Sequence, residues 1–160
     1  MVCMVEADLS QILNTVIRRG FPELLGEDIQ IEFLKVKASL LNYGELTHEG
    51  FYVEVDTSLR KAPIEVLIGG IAHECAHIVV DRLVGRKFLS GDMIAYRISK
   101  RYKTLDERNT DLEVILRGFG IELLAFLRYP EKLKLSHFRE DGLSIREVEL
   151  LLGETGGSHD

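Results

Sequence analysis

An apolar helical stretch that contains two histidines and a glutamate is the dominant feature of this sequence. These three residues form an H-E-x-x-H motif within residues 73–77. Every other position from Val66 to Val80 is uncharged, as is typical of a buried helix. Because unpaired polar groups are costly to bury, this segment can be buried only together with partners for its three polar side chains.

The H-E-x-x-H spacing supplies two metal ligands and a general base within about one turn of helix. His73 and His77 are four residues apart and therefore lie on one face of the helix, where both imidazoles can bind the same ion. Glu74 lies roughly 100° further around the helix, where it can act on a bound water without binding the metal. We predict one Zn²⁺ per chain, because zinc with three protein ligands lowers the pKa of its water to about 7. Iron, nickel and cobalt remain alternatives for this ligand type.

A three-ligand site requires one more residue downstream of the motif. The metzincin extension is excluded, because it requires a histidine where this chain has Leu83. Glu107 is the favoured third ligand, with Asp106 and Glu113 as alternatives. Asp111 follows Glu107 by one helical turn and is placed to accept a hydrogen bond from the far nitrogen of a metal-bound histidine.

The motif at 73–77 followed by Glu107-x-x-x-Asp111 resembles the gluzincin clan of zinc metallopeptidases. Within that clan, the short chain is most similar to the minigluzincins over residues 51–128. The resemblance implies hydrolysis of peptide bonds, with the motif histidines and Glu107 as zinc ligands and the motif glutamate as the general base. It also implies that a peptide or an unfolded protein is the substrate.

The resemblance further implies that residues 51–56 form a rim strand against which an extended substrate pairs. On that strand, Tyr52 and Glu54 are expected to contact the substrate. Members of the clan stabilise the oxyanion with a tyrosine or a histidine, and spacing leaves this choice open. The candidates are Tyr96, Tyr102, Tyr129 and His137.

The expected fold is a zincin-like α+β domain in which a small, mostly antiparallel sheet packs on an active-site helix and a glutamate helix. Apolar residues at helical spacing predict a first helix over residues 7–19. Alternating polar and apolar residues predict strands over 28–37, 40–46 and 51–56. A capping box at Ser144 predicts a last helix that ends at Leu152. We therefore expect one domain over residues 1–152 and a flexible tail over residues 153–160.

The glutamate helix is expected over residues 105–128, with a single apolar stripe facing the core. This stripe comprises Leu112, Ile115, Leu116, Phe119, Leu123, Phe126 and Leu127. Gly69 and Gly70 lie inside the metal-binding helix, where each costs about 1 kcal/mol relative to alanine. They predict either close packing of this helix on the sheet or a need for room near the metal.

Composition agrees with a single folded domain, since 46% of the residues are hydrophobic. Cys3 and Cys75 are not expected to pair, because Cys75 lies inside the metal-binding helix; a reducing compartment is expected. We expect a soluble, cytoplasmic protein, because the sequence shows neither a signal peptide nor an apolar run long enough for a membrane. The net charge of −6 disfavours nucleic acid as a partner.

The sequence does not determine the oligomeric state. Two functions other than peptide hydrolysis are also compatible with it. The protein could be an inactive zinc-binding domain, closed by a fourth ligand such as His137, His159 or Asp160. It could instead be an adaptor that holds a partner's strand by sheet addition without cleaving it. The expected peptidase could also be latent, with its cleft closed by its own C-terminal tail.

Overall fold

A three-stranded mixed sheet and the helices packed on it form an α+β domain. The computed structural model describes residues 8–37, 39–46, 50–84, 99–132 and 141–156. The expected α+β class is confirmed for this part of the chain.

The first helix, α1, spans Leu9–Gly20 and begins at an N-cap, Asp8. The carboxylate of Asp8 accepts a hydrogen bond from the backbone N–H of Gln11 at 3.1 Å, which satisfies one of the free donors of the first turn. The helix buries an apolar face against the core: Leu9, Ile12, Leu13, Val16 and Ile17. The predicted first helix is therefore confirmed.

The sheet contains β1 (Asp28–Leu34), β2 (Leu41–Leu46) and β3 (Gly50–Asp56), in the order β1-β3-β2. β3 is parallel to β1 and antiparallel to β2. The three predicted strands are confirmed, but the expectation of a mostly antiparallel sheet is wrong. Each strand runs opposite to the one before it in the chain, so the first and third strands run in the same direction. Because β3 lies between β1 and β2, it pairs in parallel with β1.

The central helix, α2, spans Ile64–Val84 and contains the H-E-x-x-H motif. A Cβ atom at Gly69 would overlap the backbone carbonyl of Glu122, which lies in a later helix over Gly120–Lys132. A Cβ atom at Gly70 would lie 2.7 Å from the Leu41 side chain of β2. The close packing predicted from these glycines is therefore present, but Gly69 packs on a helix and Gly70 contacts the sheet.

The predicted glutamate helix is divided into two helices by a π-helical turn. Helix α3 spans Lys100–Val114, the turn spans Ile115–Phe119, and α4 spans Gly120–Lys132. Ser99 caps α3 by accepting a hydrogen bond from a backbone N–H of the first turn. Gly118 in the turn has a φ of +87°, a conformation that glycine adopts without strain.

The π turn changes which face of the chain is buried. The residues that α3 buries are Glu107, Thr110, Asp111 and Val114. The residues buried after the turn begins are Phe119, Gly120, Leu123, Phe126, Leu127 and Pro130. A π turn inserts extra chain into the helical repeat and shifts the buried face. The predicted single stripe is therefore wrong at Leu112 and Leu116, which are 37% and 81% exposed.

The last helix, α5, spans Ile145–Gly156 and begins with the predicted capping box. The Glu147 carboxylate accepts hydrogen bonds from the backbone N–H and the hydroxyl of Ser144, and the Ser144 hydroxyl accepts from the Glu147 N–H. The helix continues four residues past the expected end at Leu152, and residues 157–160 lie outside the described part of the chain.

Candidate metal centre

Three buried side chains from two helices converge on one point. His73 and His77 lie on α2, Glu107 lies on α3, and each is less than 9% exposed. The two Nε2 atoms are 3.1 Å apart. Oε2 of Glu107 lies 3.1 Å from Nε2 of His73, and Oε1 lies 3.5 Å from Nε2 of His77. Within the described residues, these three form a group that can hold a metal ion.

The spacing of these atoms agrees with that of a tetrahedral metal shell. Ligand bonds of about 2.0–2.1 Å at tetrahedral angles separate neighbouring ligand atoms by about 3.3 Å. The two Nε2 atoms are 3.1 Å apart, and each lies near that distance from a different oxygen of the Glu107 carboxylate, at 3.1 and 3.5 Å. The three side chains are therefore close enough together for one small cation to bind between them.

Asp111 fixes the orientation of His73. Its carboxylate is completely buried, with Oδ1 at 3.0 Å from Nδ1 of His73. Its Oδ2 accepts a hydrogen bond from the backbone N–H of Leu143 at 2.8 Å. Because an ionised carboxylate only accepts hydrogen bonds, Nδ1 of His73 is the donor, and the lone pair of Nε2 is directed at the cluster.

His77 is supported by longer contacts. The hydroxyl of Thr110 donates to the backbone carbonyl of Asp106 at 2.9 Å, so its oxygen is free to accept from Nδ1 of His77 at 3.5 Å. A carboxylate oxygen of Asp106 lies 3.7 Å from the same nitrogen. The ring of Tyr43 stacks on the ring of His77, with 5.1 Å between centroids and 12° between planes.

The electrostatics of the cluster favour a positive charge at its centre. Two imidazole nitrogens and a carboxylate face one another in a buried setting. Burial raises the pKa of Glu107, but when the imidazoles are protonated at Nε2 their hydrogen bonds and positive charges outweigh burial and hold that pKa well below its usual value. Protons on the imidazoles or a bound cation can supply the charge that this carboxylate requires.

The geometry separates Glu107 from the two alternative ligands. Asp106 faces Nδ1 of His77, the nitrogen directed away from the cluster. Glu113 pairs with Arg117 at 2.7 Å. Glu107 is therefore the acidic residue of α3 that joins both histidines.

Glu74, the predicted general base, is 7% exposed. It follows His73 on α2 and is outside the group of three that can hold the ion. Burial, followed by the charges of nearby carboxylates that include Glu74, raises the pKa of the Tyr43 phenol.

Tyr52 and Glu54, predicted to bind substrate on a rim strand, do not lie at this centre. Their strand is central in the sheet and is paired along both edges. Leu41 and Tyr43 of β2 contact α2, and Tyr43 pairs in register with Val53, so the α2 face of β3 carries Val53. Because successive side chains alternate, Tyr52 and Glu54 face the opposite side, and the rim assignment of β3 is corrected.

The predicted oxyanion candidates and closing ligands are distributed as follows. Tyr102 lies in the first turn of α3, and Tyr129 lies near the end of α4, partly buried against the apolar core. The others lie outside the described residues: Tyr96, His137, His159 and Asp160.

Sequence reasoning missed Tyr43 and Asp81 beside the centre. Tyr43 occupies the helix-facing side of β2, and the available signal was its position two residues after the apolar Leu41, on the same face of the strand. Asp81 follows His77 by four residues, which places it on the same face of α2. The hydroxyl of Tyr43 and the carboxylate of Asp81 are joined by a hydrogen bond.

Comparison with protein-family models, curated proteins and solved structures found no match for this chain. Among the helices in the described part of the chain, none combines the length and apolar character needed to cross a bilayer. The geometry of the cluster is therefore the principal evidence on function.

Proposed function

We propose that this protein is a zinc-dependent peptidase whose metal is bound by His73, His77 and Glu107. The observation that carries the proposal is the convergence of these three ligands beside a buried Glu74 in H-E-x-x-H spacing. Two imidazoles and one carboxylate are a ligand set of catalytic zinc sites, which keep a further position open. Zinc bound there would polarise a carbonyl and activate a water.

The chain's own residues have separate tasks in this proposal. Glu74 accepts the proton of the attacking water and returns it to the leaving amine. Asp111 holds His73 in the tautomer whose Nε2 lone pair can bind metal. The buried surroundings strengthen each of these interactions, because charges interact more strongly away from bulk water.

An extended substrate has a suitable strand in β2. Among the described strands, β2 pairs with β3 alone, so its other edge is not used in the sheet. Strand β2 runs along α2 in the same direction: the Leu41 side chain lies beside Gly70, and the Tyr43 ring stacks on His77. Backbone hydrogen bonds to that edge would hold a peptide alongside the metal ligands. The proposed rim strand is therefore β2.

Metal content and cleavage activity test the proposal in sequence. Elemental analysis is expected to find about one zinc per chain in the wild type and in Glu113→Ala, a matched control on the same helix. Glu107→Ala is expected to lose the metal. Division of the roughly 10–16 kcal/mol of a four-ligand zinc site among its ligands predicts an affinity loss of about a hundredfold or more.

The second step uses Glu74→Gln and an unfolded, alkylated protein as the substrate. This variant is expected to retain zinc and lose cleavage, because its amide cannot accept the proton. Zinc binding without cleavage by the wild type would instead favour an inactive metal-binding domain or a peptide-binding adaptor. A wild-type chain that binds no zinc after reconstitution would overturn the proposed centre.

A further inference from the structure

The two histidines of the centre differ in how their rings are held. Nδ1 of His73 lies 3.0 Å from Asp111, within the usual range of a hydrogen bond. Nδ1 of His77 has contacts of 3.5 Å to Thr110 and 3.7 Å to Asp106, which are longer than that range. Metal-binding histidines are usually oriented by a firm hydrogen bond at the nitrogen that does not bind metal. His77 therefore requires support from another contact.

Tyr43 supplies a contact of the required kind. Its ring lies nearly parallel to the ring of His77, at a centroid distance typical of offset stacking. Its hydroxyl is held in turn by the carboxylate of Asp81, one turn further along α2. The phenol hydroxyl donates this hydrogen bond, because a carboxylate oxygen accepts. The ring is thus fixed at two points of the same helix.

We propose that Tyr43 is a positioning residue for the metal ligand His77, with Asp81 as its anchor. This inference rests on the proposed metal centre. Stacking restricts rotation of the His77 ring about its Cβ–Cγ bond and keeps Nε2 directed at His73 and Glu107. The two ligands are then oriented by different means: His73 by a buried carboxylate, and His77 by an aromatic ring from the edge strand β2.

Substitutions at Tyr43 separate this role from simple packing. Tyr43→Leu removes the ring, Tyr43→Phe keeps the ring and removes the hydroxyl, and Asp81→Asn weakens the anchor. Phe33→Leu is the matched control, because Phe33 is a partly buried aromatic residue of β1. Each variant is first shown to fold by urea unfolding of the metal-free protein.

Two readouts follow on the folded variants: zinc affinity by chelator competition, and the visible absorption spectrum with Co²⁺ in place of zinc. Tyr43→Leu is expected to weaken zinc binding by about 10–100-fold and to change the cobalt spectrum, because ligand geometry is lost. Tyr43→Phe and Asp81→Asn are expected to lose a smaller part of the affinity. Phe33→Leu is expected to keep the wild-type affinity and spectrum even if it is less stable.

The outcomes distinguish this inference from the proposed function. If the wild type binds zinc and a folded Tyr43→Leu variant has the same zinc affinity and cobalt spectrum, the positioning role is overturned. The metal centre would be unaffected by that result. If Tyr43→Leu does not fold, wild-type affinity and spectra in both Tyr43→Phe and Asp81→Asn would overturn the anchor. A wild type that binds neither zinc nor cobalt would overturn the metal centre and the inference with it.

Discussion

Helix α2 packs in two different ways against the segment formed by α3, the π turn and α4. The part of α2 around Gly69 and Gly70 is its glycine half, and the part from His73 onward is its histidine half. Around Gly69 and Gly70 it meets α4 and β2 through close apolar and backbone contacts. From His73 onward it meets α3 through buried polar side chains, among them Glu107 and Asp111. The π turn between α3 and α4 allows one segment to present a polar face to one half of α2 and an apolar face to the other.

The two halves differ in what stabilises them. The glycine half leaves no room for an added Cβ atom, so close packing stabilises it. The histidine half buries the carboxyl groups of Glu107 and Asp111, and positive charge beside them is expected to stabilise it. Perturbations of the two halves should therefore have different signatures in stability and in metal affinity.

The largest expected effect is that of zinc on the histidine half. At a thousandfold excess over its Kd, a ligand that binds only the folded state adds about 4 kcal/mol to the free energy of unfolding. For a chain of this size, that corresponds to roughly 8–16 °C in Tm. Calorimetry with zinc and with a chelator measures the difference. Glu107→Ala should show little of this gain, and an equal gain in that variant would place the stabilising zinc elsewhere.

Gly69→Ala tests the glycine half. Alanine normally stabilises a helix by about 1 kcal/mol relative to glycine. Here its Cβ would overlap the Glu122 backbone, so we expect a net loss of about 2–3 kcal/mol in urea unfolding. Zinc affinity of the folded variant should be unchanged. Gly153→Ala is the control and should be neutral or stabilising, since among the described residues nothing outside its own helical turn lies within 4 Å of the added Cβ.

Asp111→Asn tests the support of the histidine half. The amide oxygen can accept from the N–H of either His73 or Leu143, but the other donor then faces an NH₂ group. We expect a loss of about 1–2 kcal/mol in urea unfolding and about 10–100-fold weaker zinc binding by chelator competition. A variant that loses stability and keeps full zinc affinity would show that Asp111 supports the fold rather than the metal ligand.

Local spacing was sufficient to predict much of the candidate centre. His73 and His77 share a helical face, and Glu107 and Asp111 share another, because the helical repeat fixes both pairs. The structure brings the two faces together around Asp111 and the cluster. The catalytic role of Glu74 and the identity of the metal remain predictions.

Long-range arrangement was the part that the sequence did not predict. Strand order depends on which strands meet after the chain folds, so β3 was assigned to a rim although it lies in the centre. Regular helical periodicity could not anticipate the π turn at Gly118, which exposed Leu116. Tyr43 on β2 stacks on His77 on α2, and no short sequence spacing predicts a contact between residues so far apart in the chain.

The smallest expected effect is that of Glu147→Gln. Glu147 lies on α5 and pairs with Arg108 of α3. Hydrogen bonds from Arg108, followed by those from Ser144, lower the pKa of Glu147 to about 2. A carboxyl whose pKa is lower in the folded state adds stability above its unfolded pKa, and that stability is lost as pH falls toward the folded pKa. Solvent screens this exposed pair, so we expect a loss of about 0.5–1 kcal/mol at pH 7.

The pH dependence distinguishes the charge of Glu147 from its contacts. In the metal-free protein, urea unfolding should show the difference between wild type and Glu147→Gln at pH 7. That difference should narrow as the pH falls from about 5 toward 2, because the wild-type carboxylate becomes protonated. A difference that stays constant over this range would mean that the contacts of Glu147 matter and its charge does not. Zinc affinity should stay near the wild-type value, because Leu143 and Asp111 keep their own hydrogen bond beside the cluster.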